Sequence, residues 1–109
     1  MAMWEMFGAL VHGGTLVIRS TDIAATAERV DVLVATPSIL ATLSSHRSTA
    51  RTVVVAGERC PQALADEWAR EHRFLNSCGP TEITIINTLV EHHPGRPLTI
   101  GAPVPGTKI

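Results

Sequence analysis

The 109-residue sequence contains no tyrosine, two phenylalanines and two tryptophans. Its two cysteines are too few for a disulfide framework, which excludes a disulfide-rich secreted protein and leads us to expect a reduced, cytoplasmic one. No apolar run approaches the roughly 20 residues of a membrane-spanning helix, and we expect no signal peptide from the first residues. Nine basic and ten acidic residues give a formal net charge of −1, so we expect neither nucleic acid nor a membrane as a partner.

What is present indicates a folded chain, because 45% of the residues are hydrophobic. A chain of this length allows one domain at most. Short β-branched runs alternate with stretches of helical periodicity. We predict helices at 3–11, 21–27, 37–43 and 61–72 and strands at 15–18, 30–35, 52–56, 74–76 and 85–91. The first two strands are predicted to be buried, and the fifth to be antiparallel or at an edge. Residues 44–50 are predicted to form a surface loop and 92–109 an extended connector.

This alternation predicts an α/β fold with a mainly parallel sheet and flanking helices. Ligands of such sheets bind beyond the carboxyl ends of the strands. The segments that follow three of the predicted strands are 36–37, 56–58 and 76–82. We therefore expect these three loops to meet at one edge of the sheet and to form a crevice.

The segment 76–82, with the sequence Asn-Ser-Cys-Gly-Pro-Thr-Glu, carries the polar groups of that crevice. The Thr81 hydroxyl can donate to a phosphate oxygen, and the Glu82 carboxylate can bind a hard cation such as Mg²⁺. The Asn76 amide can bind the edge of a base. The alternative is that Gly79 and Pro80 form a simple turn and that Thr81 and Glu82 begin a helix.

Five motifs in this order resemble the middle of the adenylation domain of a non-ribosomal peptide synthetase, in the adenylate-forming ligase superfamily. They are Trp-Glu-Met-Phe-Gly-Ala-Leu at 4–10, Ala-Thr-Pro-Ser at 35–38, Val-Ala-Gly-Glu at 55–58, the segment 76–82, and Ile-Gly-Ala-Pro-Val-Pro-Gly-Thr at 100–107. The resemblance covers essentially the whole chain. It implies that residues 1–109 are an internal fragment of the N-terminal subdomain of such an AMP-binding domain, with no complete domain boundary inside the chain.

The resemblance also implies a two-step reaction. A carboxylate reacts with ATP to form an acyl-adenylate, and the phosphopantetheine thiol of a peptidyl carrier domain then takes the acyl group. By similarity, Thr81 would contact the α-phosphate and Glu82 would bind Mg²⁺. The adenine would lie against Asn76 and the backbone at Gly57. The nucleotide-binding residues implied in this way are Gly57, Asn76, Ser77, Cys78 and Gly79.

Cys78 departs from the pattern that the resemblance implies. The family usually has tyrosine at this position, where the ring stacks on adenine. Loss of that stacking would weaken nucleotide binding by on the order of 1 kcal/mol.

The resemblance further assigns residues to a pocket for the side chain of the substrate. These are Trp4, Val34, Val54, Ala56, Ser77, Ile85 and Ile86. None is charged, so the expected substrate is an amino acid with an apolar side chain, because a charged group would be buried without a partner. From periodicity alone, the valines, isoleucines and Trp4 would be interpreted as core residues.

Further site residues of the family would lie outside this chain. We therefore expect the fragment alone to be inactive and to self-associate as a homo-oligomer, because unpaired strand edges and apolar faces seek partners. Two alternatives remain open. The first is that the parent protein is an acyl- or aryl-CoA ligase, although the motif at 4–10 argues against it. The second is that the chain is a non-catalytic structural unit.

Overall fold

A computed structural model describes residues 1–80, 82 and 85–108. In chain order the elements are α1 (Ala2–Leu10), α2 (Ile23–Ala27), β1 (Val32–Ala35), α3 (Pro37–Leu40), β2 (Thr52–Val55), α4 (Gln62–Ala69), β3 (Arg73–Cys78), β4 (Thr88–His92) and β5 (Ala102–Pro103). The predicted helices are confirmed, with ends shifted by a few residues. No helix among the described residues is long and apolar enough to cross a bilayer.

The strands form one mixed sheet in the order β1-β2-β3-β4-β5. The first three run parallel, with Val34 opposite Val54 and Val54 opposite Leu75. β4 is antiparallel to β3, and β5 is antiparallel to β4. The predicted α/β sheet with flanking helices is confirmed, and its parallel part consists of β1 to β3.

The core lies between one face of this sheet and helix α4. Val53 and Val55 of β2 and Phe74 of β3 point to this face and are fully buried. Trp68 of α4 packs into the same cluster, which Leu40 of α3 completes. Burying each large apolar side chain of this kind contributes roughly 1.5–3 kcal/mol, so this cluster holds the strands and α4 together.

Side-chain caps begin the two short helices α2 and α3. Asp22 Oδ1 accepts a hydrogen bond of 3.0 Å from the Ala25 N–H at the start of α2. Thr36 Oγ1 accepts one of 3.4 Å from the Ile39 N–H at the start of α3, where Pro37 occupies the first turn. Such caps satisfy backbone donors that a helix leaves unpaired.

The first predicted strand, 15–18, is wrong. Within the described residues these positions pair with no strand, and Ile18 is 82% exposed. A strand needs a neighbour for its backbone hydrogen bonds, and the described sheet begins at β1, which pairs with β2. The prediction that β1 is buried also fails at Val32, which is exposed at that open edge of the sheet.

Two segments predicted to lack structure or contacts also differ. The loop 44–50 buries Ser45 and Ala50, because the His72 ring nitrogens lie 2.8 Å and 2.6 Å from the carbonyl oxygens of those two residues. The connector 92–109 contains β5, which pairs with β4. Both differences have the same cause. These contacts are with residues distant in sequence, and the local pattern of apolar residues does not reveal them.

Candidate functional site

A cleft of about 640 Å³ opens at the carboxyl ends of β2 and β3. Its position is the one that parallel topology predicts for a ligand site. Three segments of chain meet there, 57–62, 76–80 and 98–100. They contribute Gly57, Glu58, Arg59, Cys60, Gln62, Asn76, Ser77, Cys78, Gly79, Pro80, Leu98, Thr99 and Ile100 to the lining.

The loop after β1 is tied to the loop after β2 by one carboxylate. Glu58 Oε2 accepts hydrogen bonds from Ser38 Oγ at 2.5 Å and from the Ser38 N–H at 3.1 Å. These two bonds, the hydroxyl first, hold the pKa of Glu58 below its ordinary value. A Cβ placed on Gly57 would lie 3.7 Å from the methyl group of Thr36. The structure thus brings together the loops that begin at Thr36 and Gly57.

The last residues of β3 supply the polar wall of the cleft. Asn76 and Ser77 are buried, whereas Cys78 is exposed. Ser77 Oγ donates to the Val55 carbonyl at 2.8 Å, which leaves its hydroxyl proton engaged within the sheet. Asn76 Nδ2 donates to the Thr99 carbonyl at 2.8 Å. All five residues that the sequence assigned to nucleotide binding therefore line this one cleft.

Gly79 permits a close approach between the ends of β3 and β4. A Cβ at this position would lie 2.6 Å from Ile86 Cα and 2.9 Å from the Asn87 nitrogen, which no side chain could occupy without a backbone shift. The Asn87 N–H donates to the Cys78 carbonyl at 2.9 Å and closes this junction. Ile85 beside it has a φ of 74°. A β-branched residue in this region is strained, and such strain is found most often at functional sites.

Of the two residues predicted to act on phosphate and cation, only Glu82 is among the described residues. Thr81 lies outside the described residues. Glu82 is exposed and follows Pro80, which lines the cleft, by two positions.

The residues predicted to bind the substrate side chain lie mainly on the other face of the sheet. Val34 lies opposite Val54, and strand alternation places Ala56 on the same face as both. Leu75 lies opposite Val54, so Ser77 also points to this face, away from Val53, Val55 and the core. Trp4 of α1 is half-buried, as are Ile85 and Ile86. The sheet thus separates four of the pocket residues from helix α4.

Sequence reasoning missed the wall of the cleft formed by Leu98, Thr99 and Ile100. It also missed Gln62, the first residue of α4, whose amide is bonded to that wall. The apolar residues flanking Thr99, directly before the motif at 100–107, were the only local signal. They do not indicate which strand the segment reaches.

The model of the family described as AMP-binding enzyme matches residues 1–109. The chain belongs to this family. It is 49% identical over 108 residues to adenylate-forming reductase 03009 of Coprinopsis cinerea, covering 95% of this chain and 10% of that protein. It is 39% identical over 104 residues to nonribosomal peptide synthetase 5 of Aspergillus fumigatus, covering 94% of this chain and 5% of that protein.

A solved structure has the same fold. The N-terminal subdomain of NpsA from Klebsiella oxytoca, in complex with anthranilyl-AMSN, matches with a TM-score of 0.74 at 20% identity, covering 93% of this chain and 31% of that one. The resemblance to adenylation domains and the fold of their N-terminal subdomain are therefore confirmed. The chain spans a tenth or less of the length of these two curated relatives.

Proposed function

We propose that residues 1–109 are an internal segment of an adenylation domain and that the cleft beyond β2 and β3 holds the adenine end of ATP. The observation that carries this proposal is the meeting of Gly57, Asn76 and Gly79 in one cleft of about 640 Å³. Most of a nucleobase can enter a cleft of this size, and an amide on its wall can fix the orientation of the base. Cys78 provides no aromatic surface for stacking, which makes the polar contact at Asn76 more important.

The reaction proposed for the parent protein is attack of a substrate carboxylate oxygen on the α-phosphorus of ATP. An oxygen–phosphorus bond forms, the bond to the bridging oxygen breaks, and pyrophosphate leaves. Thr81 donates a hydrogen bond to the α-phosphate in this proposal, and Glu82 binds Mg²⁺. The cation would neutralise negative charge on the phosphates. Because Mg²⁺ is typically bound by one or two carboxylates together with substrate phosphates, a single exposed acid such as Glu82 suits this role.

The opposite face of the sheet would contact the substrate side chain. Val34, Val54 and Ala56 share that face and are apolar, and Val54 and Ala56 are buried. An apolar side chain could pack there, whereas a charged one would lose its hydration without a partner. We therefore propose an amino acid with an apolar side chain as substrate, and a peptidyl carrier domain with its phosphopantetheine thiol as acceptor. Two free cysteines suit a cytoplasmic setting.

A second candidate for the parent is an adenylate-forming reductase. The observation that favours it is the 49% identity to a protein of that name, against 39% to the peptide synthetase. An acyl- or aryl-CoA ligase is the third. Incubation of the parent with ATP, a carrier domain and a panel of carboxylic acids separates them. A stable aminoacyl thioester supports the first, a product that forms only with added reductant supports the second, and transfer to free coenzyme A supports the third.

The nucleotide site can be tested on this chain directly. We expect AMP to shift the backbone NMR signals of Asn76, Gly79 and Thr99 at millimolar concentration. Asn76→Ala should weaken binding by roughly threefold to tenfold, the effect of one lost hydrogen bond. Asn87→Ala serves as the matched control outside the lining of the cleft. Equal AMP affinity for Asn76→Ala and the unsubstituted chain would contradict the proposed site.

We also propose that the isolated chain forms no acyl-adenylate and self-associates. No residue of helix α1 is fully buried, and Met3, Phe7 and Leu10 are exposed along it. Sedimentation velocity should show concentration-dependent association that Phe7→Lys reduces. A monomer at all concentrations would refute the association. Substrate-dependent exchange of pyrophosphate into ATP would refute the inactivity.

A further inference from the structure

Gln62, the first residue of α4, binds the backbone of the segment 95–99 through both ends of its side-chain amide. Its Nε2 donates to the Arg96 carbonyl at 2.8 Å, and its Oε1 accepts from the Leu98 N–H at 2.8 Å. Nε2 also donates to Asp66 Oδ1 at 3.1 Å. A carbonyl can only accept and an N–H can only donate, so these contacts determine the orientation of the Gln62 amide.

Asp66 holds the same segment one helical turn further along α4. Its Oδ1 accepts from the Gly95 N–H at 3.3 Å and lies 2.7 Å from His92 Nε2. Residues four apart on a helix point in the same direction, which is why Gln62 and Asp66 reach one segment. The backbone of 95–98 is therefore bonded to α4 at Gly95, Arg96 and Leu98.

The next residue of that segment reaches the nucleotide cleft. The Thr99 carbonyl accepts the hydrogen bond from Asn76 Nδ2 at 2.8 Å, and Asn76 is buried at the wall of the cleft. Because this carbonyl cannot donate, it engages the amino end of the Asn76 amide and leaves the oxygen end for a ligand. An oxygen acceptor pairs with the exocyclic amino group of adenine. It repels the carbonyl oxygen that guanine and hypoxanthine carry at the same ring position.

We propose that Gln62 is a positioning residue for base selection. It holds the segment 96–98 so that the Thr99 carbonyl orients the Asn76 amide with its oxygen available to an amino group. Gln62 acts through this segment because both hydrogens of its Nε2 and one acceptor site of its Oε1 are already engaged. The selection of adenine rests on the proposed function of the cleft, whereas the control of Asn76 by Gln62 does not.

The first test needs no ligand. In the ¹⁵N-labelled chain, Gln62→Ala should shift the side-chain amide signals of Asn76 and speed their exchange with solvent, although the two residues share no hydrogen bond. Gln62→Glu keeps the acceptor for Leu98 and loses the donor to Arg96, so an intermediate change is expected. Arg70→Ala, an exposed residue just beyond α4, is the matched control and should leave these signals unchanged. Unchanged Asn76 signals in Gln62→Ala, which removes both bonds to the segment, would overturn the positioning role.

The second test compares AMP with inosine monophosphate, which carries a carbonyl oxygen in place of the amino group. The unsubstituted chain should bind AMP about tenfold more tightly, since one hydrogen bond is exchanged for a repulsion. That ratio should fall towards one in Gln62→Ala and stay at ten in Arg70→Ala. An unchanged ratio in Gln62→Ala would overturn the role in selection. If the chain binds neither nucleotide, the proposed function of the cleft is wrong, and the first test still decides whether Gln62 controls Asn76.

Discussion

The two phenylalanines and two tryptophans of the chain are shared equally between helix α1 and the sheet core, where their surroundings differ. Phe74 of β3 and Trp68 of α4 are 0% exposed. Phe7 of α1 is 56% exposed, and Trp4 is only half-buried. The helical pattern of α1 predicted a helix correctly, as did that of α4. The pattern of apolar residues thus determines which element forms. Whether that element is buried depends on another part of the protein packing against its apolar face.

In the core, strand β2 has three neighbouring elements against which its residues are buried. β2 lies between two parallel strands, and α4 covers one of its faces. In the part of the chain that the structure describes, residues 15–18 have no such neighbours, although three of the four are β-branched and three are apolar, much as in β2. The same local sequence character therefore gives a buried strand in one region and exposed, irregular chain in the other.

The largest difference in stability is expected when one phenylalanine is replaced in each of the two regions. Phe74→Ala should lower the free energy of unfolding by about 3–5 kcal/mol, since it removes a large side chain from a close-packed core. Phe7→Ala should change it by less than about 0.5 kcal/mol, because its ring is already largely in water. Urea unfolding followed by circular dichroism measures both. Similar losses for the two variants would mean that α1 packs on the core in solution.

A second test compares two glycines that share a backbone conformation and differ in neighbours. Gly101 has a φ of +84° and Gly106 one of +85°. A Cβ on Gly101 would lie 2.2 Å from the Leu89 carbonyl oxygen of β4, whereas one on Gly106 would meet nothing within 4 Å. Gly106→Ala should cost about 1–2 kcal/mol for the left-handed conformation alone. Gly101→Ala should cost more, because the β4 backbone must also move.

The measurement is again the urea midpoint of each glycine variant. Equal losses would show that β5 does not pack against β4 as closely as the structure has it. A larger loss for Gly101→Ala, with broadened NMR signals confined to β4 and β5, would localise the effect to the edge of the sheet.

Sequence patterns predicted the elements whose signals are local. The periodicity of α4 and the valines of β2 each depend on residues that are close to one another in sequence. The topology of parallel strands then placed Gly57 and Asn76 at one edge, because carboxyl ends of such strands coincide. This is why the position of the candidate site followed from the sequence.

The contacts of Gln62 and Thr99 could not be predicted in this way. Gln62 bonds to residues 34 and 36 positions away, and Asn76 to one 23 positions away. An exposed glutamine at the start of a helix has many possible partners, and only the path of the segment 95–99 selects one. Likewise, residues 15–18 and β2 look alike as sequence, and the presence of a neighbouring strand distinguishes them.

The smallest expected effect concerns two acids, one in each region, whose pKa values are shifted in opposite directions. Hydrogen bonds, first from His92 and then from Gln62, hold the pKa of Asp66 below its ordinary value. Burial raises the pKa of Glu5 in α1. Ionised Asp66 therefore stabilises the fold above its unfolded pKa of about 4, and this contribution is lost as the pH falls through the lower folded value. Ionised Glu5 acts against folding at neutral pH, and that opposition disappears as the pH falls through its raised folded pKa.

Asp66→Asn should consequently lower the urea midpoint at pH 7, and Glu5→Gln should raise it slightly or leave it unchanged. Each variant removes one negative charge from a chain of net charge −1, so a general charge effect would move both midpoints in the same direction. The difference between Asp66→Asn and the unsubstituted chain should disappear once the pH lies below the lowered folded pKa of Asp66, and that for Glu5→Gln once the pH lies below the unfolded pKa of Glu5, because the replaced acid is then neutral in the folded and the unfolded chain. A fall of equal size in both variants at pH 7 would show that net charge, and not the contacts of Asp66 with His92 and Gln62, determines the response.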